Sequence, residues 1–570
     1  MNEKTSGSSG LGKLISLLLI AGLIGLGIYM VVGREGAPPP EPSPVATAVP
    51  KEEPDDASGD AIVGAKELVD TKLEVPRLPP PGTYTPKDKT IDVELSEYAG
   101  YAGLIAANGG LAPNESSVFF KKHGIKLRIK LSEAESWGEL ASGAIAASAT
   151  TADVLAVYGR SLGAVVPVQI GFSRGADGIV VRSDIKRINQ LKGKILVTSQ
   201  LNEADFFIRF LAREAGLGVK MLTDLKGQPD PEKVNLIFAE DAKQAGELFL
   251  REVQQGGNLL AGCVTWAPFT SEVVRESKGK ATLLVSNRNL LIVADVLVVN
   301  KGFAEKSPEV VAALVDGMLE GNKMVRETPE PHYDTIAKAF NWKRIDVPVE
   351  LSKVHLSNLP ENLAFFSGAI DAAGSFGGIY QSAIMAYGPE LIKDPTPEDK
   401  VLDLQHLKAL EKAGAYKDQK VAIAPVKAGS DRPLEANPLL SKDVRFYFEP
   451  NSAKLDLSGK DKESNEANLV TIKKLLQVSP GSTVLLRGHV DDSMIETFRK
   501  QGGEAFVQKQ ALSAVQLSKE RAEEIRGLLV KKHAIDVKRI DIYGAGWNEP
   551  VSRAEPDMNR RVEVQWFTLE

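Results

Sequence analysis

The residues that first raise a chemical question stand at 484–493, VLLRGHVDDS, where a run of β-formers ends at Gly488 and His489. Two adjacent carboxylates, Asp491 and Asp492, follow. Nothing around them keeps metal-ligand spacing, so the pair reads as charge rather than as part of a metal cage. The chain offers little for covalent catalysis elsewhere. It has no nucleophile elbow, no HExxH helix and no phosphate loop, and His123, His332, His355, His406, His489 and His533 are scattered. The one cysteine, Cys263, lies in LLAGC and is expected as a buried strand residue, because a lipoprotein box acts only behind an N-terminal signal. No catalytic residue, metal or cofactor is expected, and the chain reads as a binding protein, not an enzyme.

Residues of this kind need a framework, and 570 residues are too many for one core, so two or three domains are expected. With 43% apolar and 25% charged residues the composition is that of globular protein. A formal charge of -6 and the lack of a basic stripe give no reason to expect a nucleic-acid partner. Leu14 to Val32 runs uncharged for 19 residues, roughly 28 Å as a helix, which is enough to cross a bilayer core. Lys4 and Lys13 precede it, while Arg34 is offset by Glu35. The positive-inside rule then puts residues 1–13 in the cytoplasm, makes 14–32 a single-pass anchor in the inner membrane and leaves the rest in the periplasm. A cleaved signal peptide is the alternative. No ionisable group falls within the span, so an ion-motive role is not expected. Residues 33–88, rich in Pro and acids, are expected as a solvated linker.

From 89 to 416 short apolar runs alternate with helical patterns, the mark of α/β architecture with ligands near the carboxyl ends of strands. The series YAGYAGLIAANGG, FFKKHGIKLRI, SRGADGIVVRSDIKRINQLKGKILV, REAGL, CVTWAPFTSEVV and VADVLVVNKGFAEKSPEVV resembles periplasmic solute-binding proteins of the taurine/nitrate/alkanesulfonate type. That resemblance implies two α/β lobes joined by crossing strands, with a small solute held between them. It implies that Tyr98, Tyr101, Thr265 and Trp266 line the walls, and that Asp177 and Asp295 sit at the crossings. Ser173, Gly175 and Ala176 make a small-residue turn whose backbone N–H groups are placed to face an oxyanion. Ser199 to Asn202 precede a helix near Ala204 whose free N–H groups would face the same space. The polar run SATT at 148–151 falls where the inner edge of a lobe is expected. No arginine falls in an expected ligand loop, which leaves sulfonate, phosphate and neutral solutes open.

After a connector at 417–440, residues 441–570 carry GHVD, LSKERA, GAGWNEP and NRRVE in order. This is similar to the OmpA-like peptidoglycan-binding domain, a smaller α+β unit. The resemblance implies that Asp491 and Arg521 form a carboxylate and guanidinium pair for the ammonium and carboxylates of a diaminopimelate stem, since a fixed Arg grips carboxylate in bidentate fashion. Asn559 and Arg560 are implied as secondary contacts, with Arg561 facing elsewhere. Ser518 is expected to cap the helix that carries Arg521. Val490 stands where Thr or Ser is usual, and Ala514 where Asn is frequent. About 15 extra residues, including FRKQGGEAFVQKQ, separate Asp491 from LSKERA and are expected as a surface loop. Asp492 reads as solvated or capping.

Two functions follow from these expectations. One is an inner-membrane-anchored receptor that grips peptidoglycan and a small solute, an oxyanion among the candidates, with a transporter or another envelope complex as partner. The other is a membrane-to-wall tether whose bilobal fold has lost its ligand and serves as spacer or partner platform.

Overall fold

The computed structural model describes residues 67–133, 135–159, 161–223, 227–370, 374–423, 438–448, 452–479, 482–552 and 554–567. All these residues belong to one compact unit. The expected membrane span at 14–32 and most of the expected linker lie outside them. Among the described residues no helix is long and apolar enough to cross a membrane.

Strands β1 (Thr90–Leu95), β2 (Lys126–Leu131), β3 (Ala147–Thr151) and β4 (Ala164–Ser173) begin one sheet. The chain then crosses into a second sheet through β5 (Gly178–Arg182), β6 (Ile195–Thr198), β7 (Gly218–Met221), β8 (Lys233–Phe238), β9 (Leu260–Thr265) and β10 (Ala281–Ser286). It returns to the first with β11 (Ala294–Asn300) and β12 (Val354–Leu356). The first sheet runs β12-β4-β11-β3-β1-β2 and the second β10-β5-β9-β6-β8-β7. These are the two lobes. Their central strands, such as AVVPVQIGFS in β4 and ADVLVVN in β11, are buried along their whole length because helices cover both faces. Cys263 is buried within β9.

The crossings β4 to β5 and β10 to β11 are fastened to each other by Asn287. Its side-chain Oδ1 accepts from Gly175 N–H at 2.7 Å, and its Nδ2 donates to Asp177 Oδ2 at 3.0 Å. The helix Phe376–Leu391 packs on the helices Ala152–Tyr158 and Glu203–Glu214. Tyr387 on that helix donates its hydroxyl to Asn202 O at 3.1 Å.

Residues 67–88 differ from the solvated linker that their proline content suggests. Val69 N–H donates to Phe238 O, Gly82 N–H donates to Ala141 O, and Tyr84 is buried with its hydroxyl on Asp92 at 2.9 Å. Val75 and Leu78 pack on the core, so a few apolar side chains among the prolines are enough to seat the segment. Of the second connector, Lys420 O accepts from Asn358 Nδ2 and Ala422 N–H donates to Glu361.

The last domain is a four-stranded sheet, β13 (Leu440–Val444), β14 (Thr483–His489), β15 (Ile540–Gly546) and β16 (Val562–Phe567), in the order β13-β16-β14-β15. The pair β14–β15 is parallel and the other two are antiparallel. The helices Lys462–Val478 and Ile495–His533 bring Leu469, Ile472, Leu476, Ile525 and Leu529 into a core with Val484, Leu486, Val564 and the fully buried Trp566. After β13, Phe448 forms an isolated bridge with Leu455. This domain is seated on the second lobe, where Asn189 exchanges hydrogen bonds with Ser441 at 2.8 and 2.9 Å.

Candidate functional site

At the end of β14 two glycines decide the geometry. A Cβ on Gly488 would lie 2.0 Å from Ser518 O, and one on Gly544 in β15 would lie 2.4 Å from Val515 O. Only bare backbone lets the helix Ile495–His533 descend onto the strand ends, and this descent carries Arg521 toward Asp491. Ser518 is not the N-cap expected of it. It lies inside the long helix, donates its hydroxyl to Val515 O and accepts from Gly546 N–H at 3.0 Å. The residues expected as a surface loop are helical, with non-helical backbone only at Gly502 and Gly503. Phe498 and Phe506 meet edge to face, and Phe498 stacks on Trp547. Aromatic burial therefore makes this insertion a folded extension of the helix.

Asp491 is mostly buried and accepts from Arg560 Nε at 2.7 Å and from the backbone N–H and hydroxyl of Ser493. Burial pushes its pKa up, but the Ser493 and Arg560 hydrogen bonds outweigh this and hold it below the usual carboxylate range. Arg521 is not hydrogen-bonded to Asp491. Its guanidinium lies 4.8 Å above the Phe448 ring, and its Nε donates to Ser452 O at 3.2 Å. Burial, together with the Arg560 charge, lowers its pKa, and Asp491 counters them, so all three groups share one field. The result is a carboxylate flanked by one exposed and one buried guanidinium. Asn559, expected as a contact residue, is 1% exposed and holds the chain at Val551 and Ser552 through three hydrogen bonds. Its role is to shape the loop. Arg561 turns to Asp443 at 3.0 Å. His489, Glu549 and Glu563 converge nearby with ligand atoms within 4.8 Å of one another. Arg487 already grips Glu549 at 2.7 Å and approaches Glu563 at 3.9 Å, so the trio is part of an ion-pair network.

The second candidate lies between the lobes, at the carboxyl ends of β1, β3 and β6. A void of about 30 Å³ is lined by Tyr101, Glu133, Glu135, Thr151, Glu203 and Trp266, among others. Beside it Asp295 on β11 accepts from Tyr98 and Tyr101 hydroxyls at 3.4 and 3.3 Å. Burial, reinforced by Asp177, pushes Asp295 well above the carboxylate range, and the two tyrosines are pushed up by burial and by Asp295.

The arrangement corrects several expectations. The turn at Ser173–Gly175 presents no free N–H, since these three groups donate to Val293 O, Lys353 O and Asn287 Oδ1. The N–H groups of Ser173 and Gly175 are therefore not available to an oxyanion. Ser173 Oγ is buried without a hydrogen-bond partner. Thr265 does not line the void, because its hydroxyl caps Ala242 O at 2.7 Å. Ser199 accepts from Asn202 Nδ2 at 2.6 Å, and Asn202 Oδ1 caps the helix at Asp205 N. Trp266 does face the void. Asp177 is buried at the crossing, and burial pushes it up to about 6.

Sequence reading missed Glu133, Glu135, Glu203 and Asp153, which give this region its charge. The signal was present in SEAES directly after β2, at a strand's carboxyl end, where ligand loops gather. Burial, with nearby acids, pushes Glu135 up to about 8 and Asp153 up to about 7.

Comparison with known proteins gives residues 447–563 as a match to the OmpA family and residues 114–331 as a match to the NMT1/THI5-like family. Outer membrane protein Omp38 of two Acinetobacter baumannii strains is 22% identical over 148 residues. That alignment takes in 25% of this chain and 36% of the relative, so the chain spans about a third of the length of the curated relatives it matches. Among solved structures, the periplasmic aliphatic sulphonate binding protein SsuA from Escherichia coli is similar at 15% identity and a TM-score of 0.42. It covers 56% of this chain and 97% of its own. The alkanesulfonate-binding protein SsuA from Xanthomonas axonopodis pv. citri, bound to MOPS, is 11% identical with a TM-score of 0.41, and covers 56% of this chain and all of its own.

Proposed function

From a chain that joins an NMT1/THI5-like domain to an OmpA-family domain, we propose a periplasmic binding protein of the cell envelope, anchored by residues 14–32 in the cytoplasmic membrane. Its C-terminal domain holds peptidoglycan and its bilobal domain holds a small solute. The observation that carries this reading is Asp491 at the end of β14 with Arg560 and Arg521 in its field. A diaminopimelate end carries both an ammonium and a carboxylate. Asp491 takes the first, and the guanidiniums take the second once Arg560 swings from Asp491 to the ligand. Arg521 cannot move far, because Phe448 and Ser452 fix it, and that fixity favours bidentate recognition.

The test is sedimentation of the full chain with purified peptidoglycan. Asp491→Ala and Arg521→Ala should each lower retention at least tenfold, since a hydrogen bond to a charged group contributes about 1.5 to 3 kcal/mol. Unchanged retention in both would refute the assignment. The small volume of the void favours a second reading, a membrane-to-wall tether with no solute. Solute titration of the full chain separates the two.

A further inference from the structure

The void between the lobes is lined by Glu94, Glu133, Glu135 and Glu203 and by no lysine or arginine. Glu94 is already neutralised by Lys130 at 3.2 Å. Among the described residues the other three have no ion-pair partner, and Lys243 and Lys72 act on Glu133 and Glu135 only through space. Asp153, Asp177 and Asp295 add their fields from just beyond the wall. Like charges gathered in one partly buried place raise one another's proton affinity and are relieved by a bound cation.

A second observation points the same way and adds detail. Trp266 Nε1 lines this void, lies in a residue 6% exposed, and has no hydrogen-bond partner. An indole N–H can only donate, so an occupant that satisfies it must carry an acceptor as well as a positive charge. The rings of Tyr101 and Trp266 offer faces that attract ammonium groups. The void is small, about 30 Å³, which restricts the occupant to a compound of only a few heavy atoms.

We propose that the bilobal domain takes a short hydroxylated or carbonyl-bearing ammonium compound, with its charge among Glu133, Glu135 and Glu203 and its acceptor on Trp266. This rests on the solute-binding reading above and names its chemical class. An anion of the same length has no counter-charge here and would meet three carboxylates.

The experiment is calorimetric titration of the full chain at pH 7 with ethanolamine and, separately, with isethionate, which has the same stem but carries a sulfonate in place of the ammonium. Ethanolamine is expected to bind, with proton release read from the dependence of the heat on buffer. Glu203→Gln and Glu135→Gln should each weaken it at least tenfold, and Trp266→Phe should weaken it less. Both Gln variants remove repulsion, so an unchanged or raised melting temperature shows that they fold. Isethionate binding without ethanolamine binding would overturn the cationic class while leaving the solute-binding reading intact. Absence of binding by either would overturn the proposal and favour the tether.

Discussion

Replacing Asp153 by Asn should stabilise the bilobal domain increasingly as pH rises above about 4, with the full gain reached at neutral pH and above. The carboxylate lies in the first turn of the helix Ala152–Tyr158 and is fully buried, with the Thr151 hydroxyl and its own backbone N–H only partly offsetting that burial. Burial, with Asp177 and Asp205 acting in the same sense, pushes it up to about 7. The native state therefore binds more protons than the unfolded chain between the ordinary carboxyl pKa and about 7. Stability from this group is complete below about pH 4 and is lost as pH rises toward 7. A shift of about three units at roughly 1.4 kcal/mol each sets a ceiling of about 4 kcal/mol. Favourable interaction of the carboxylate with the helix N-terminus, which asparagine gives up, reduces this to about 2 kcal/mol. Asparagine keeps the shape and removes the charge. We expect Asp153→Asn to gain about 2 kcal/mol at pH 8 and nothing at pH 4, read from hydrogen exchange of residues 147–158 in the full chain under increasing urea. A loss of stability at pH 8, or an equal effect at both pH values, would refute the reasoning.

Three further outcomes follow from the geometry. Gly488→Ala places a methyl 2.0 Å from Ser518 O, so strand and helix must part by more than an ångström. The cost is about 1 to 3 kcal/mol in the urea midpoint of the C-terminal domain, with weaker peptidoglycan retention because Arg521 moves with the helix. Ser518→Ala leaves the buried Gly546 N–H without its acceptor and should cost about 1 kcal/mol in the same measurement. Tyr101→Phe removes one of the two hydroxyls that serve Asp295 and should lower the stability of the first lobe by about 1 kcal/mol, measured by hydrogen exchange along β11.

The alternation of strands and helices was legible because β4, β6, β9 and β11 are short apolar runs separated by helical periodicity, and buried strands must read that way, whereas the division into two lobes came only from the resemblance. The positions of Asp491 at a strand end and Arg521 on the following helix were legible from hallmarks whose spacing reflects those elements. Their present partners were not, since the Arg560 to Asp491 bond depends on where the chain after Asn559 returns. Ser518 looked like a cap because its side chain suits one. Whether the preceding residues form loop or helix is decided by Phe498 and Phe506 packing near Trp547, a contact between distant segments. Thr265 was placed on the cleft wall by the resemblance, but alternation turned its hydroxyl to the Ala242 carbonyl. The acidic character of the cleft was the hardest to read. Its carboxylates come from the loop after β2, two helix starts, a crossing and β11, and only the closed sheet order brings them together.

The most direct measurement compares binding of the full chain to peptidoglycan whose stems carry diaminopimelate and to peptidoglycan whose stems carry lysine. Lysine keeps the ammonium that Asp491 would accept but lacks the carboxylate that Arg521 and Arg560 would hold. Binding to the diaminopimelate form with at least tenfold weaker binding to the lysine form is the predicted result. Equal binding to both would contradict recognition by a carboxylate between two guanidiniums.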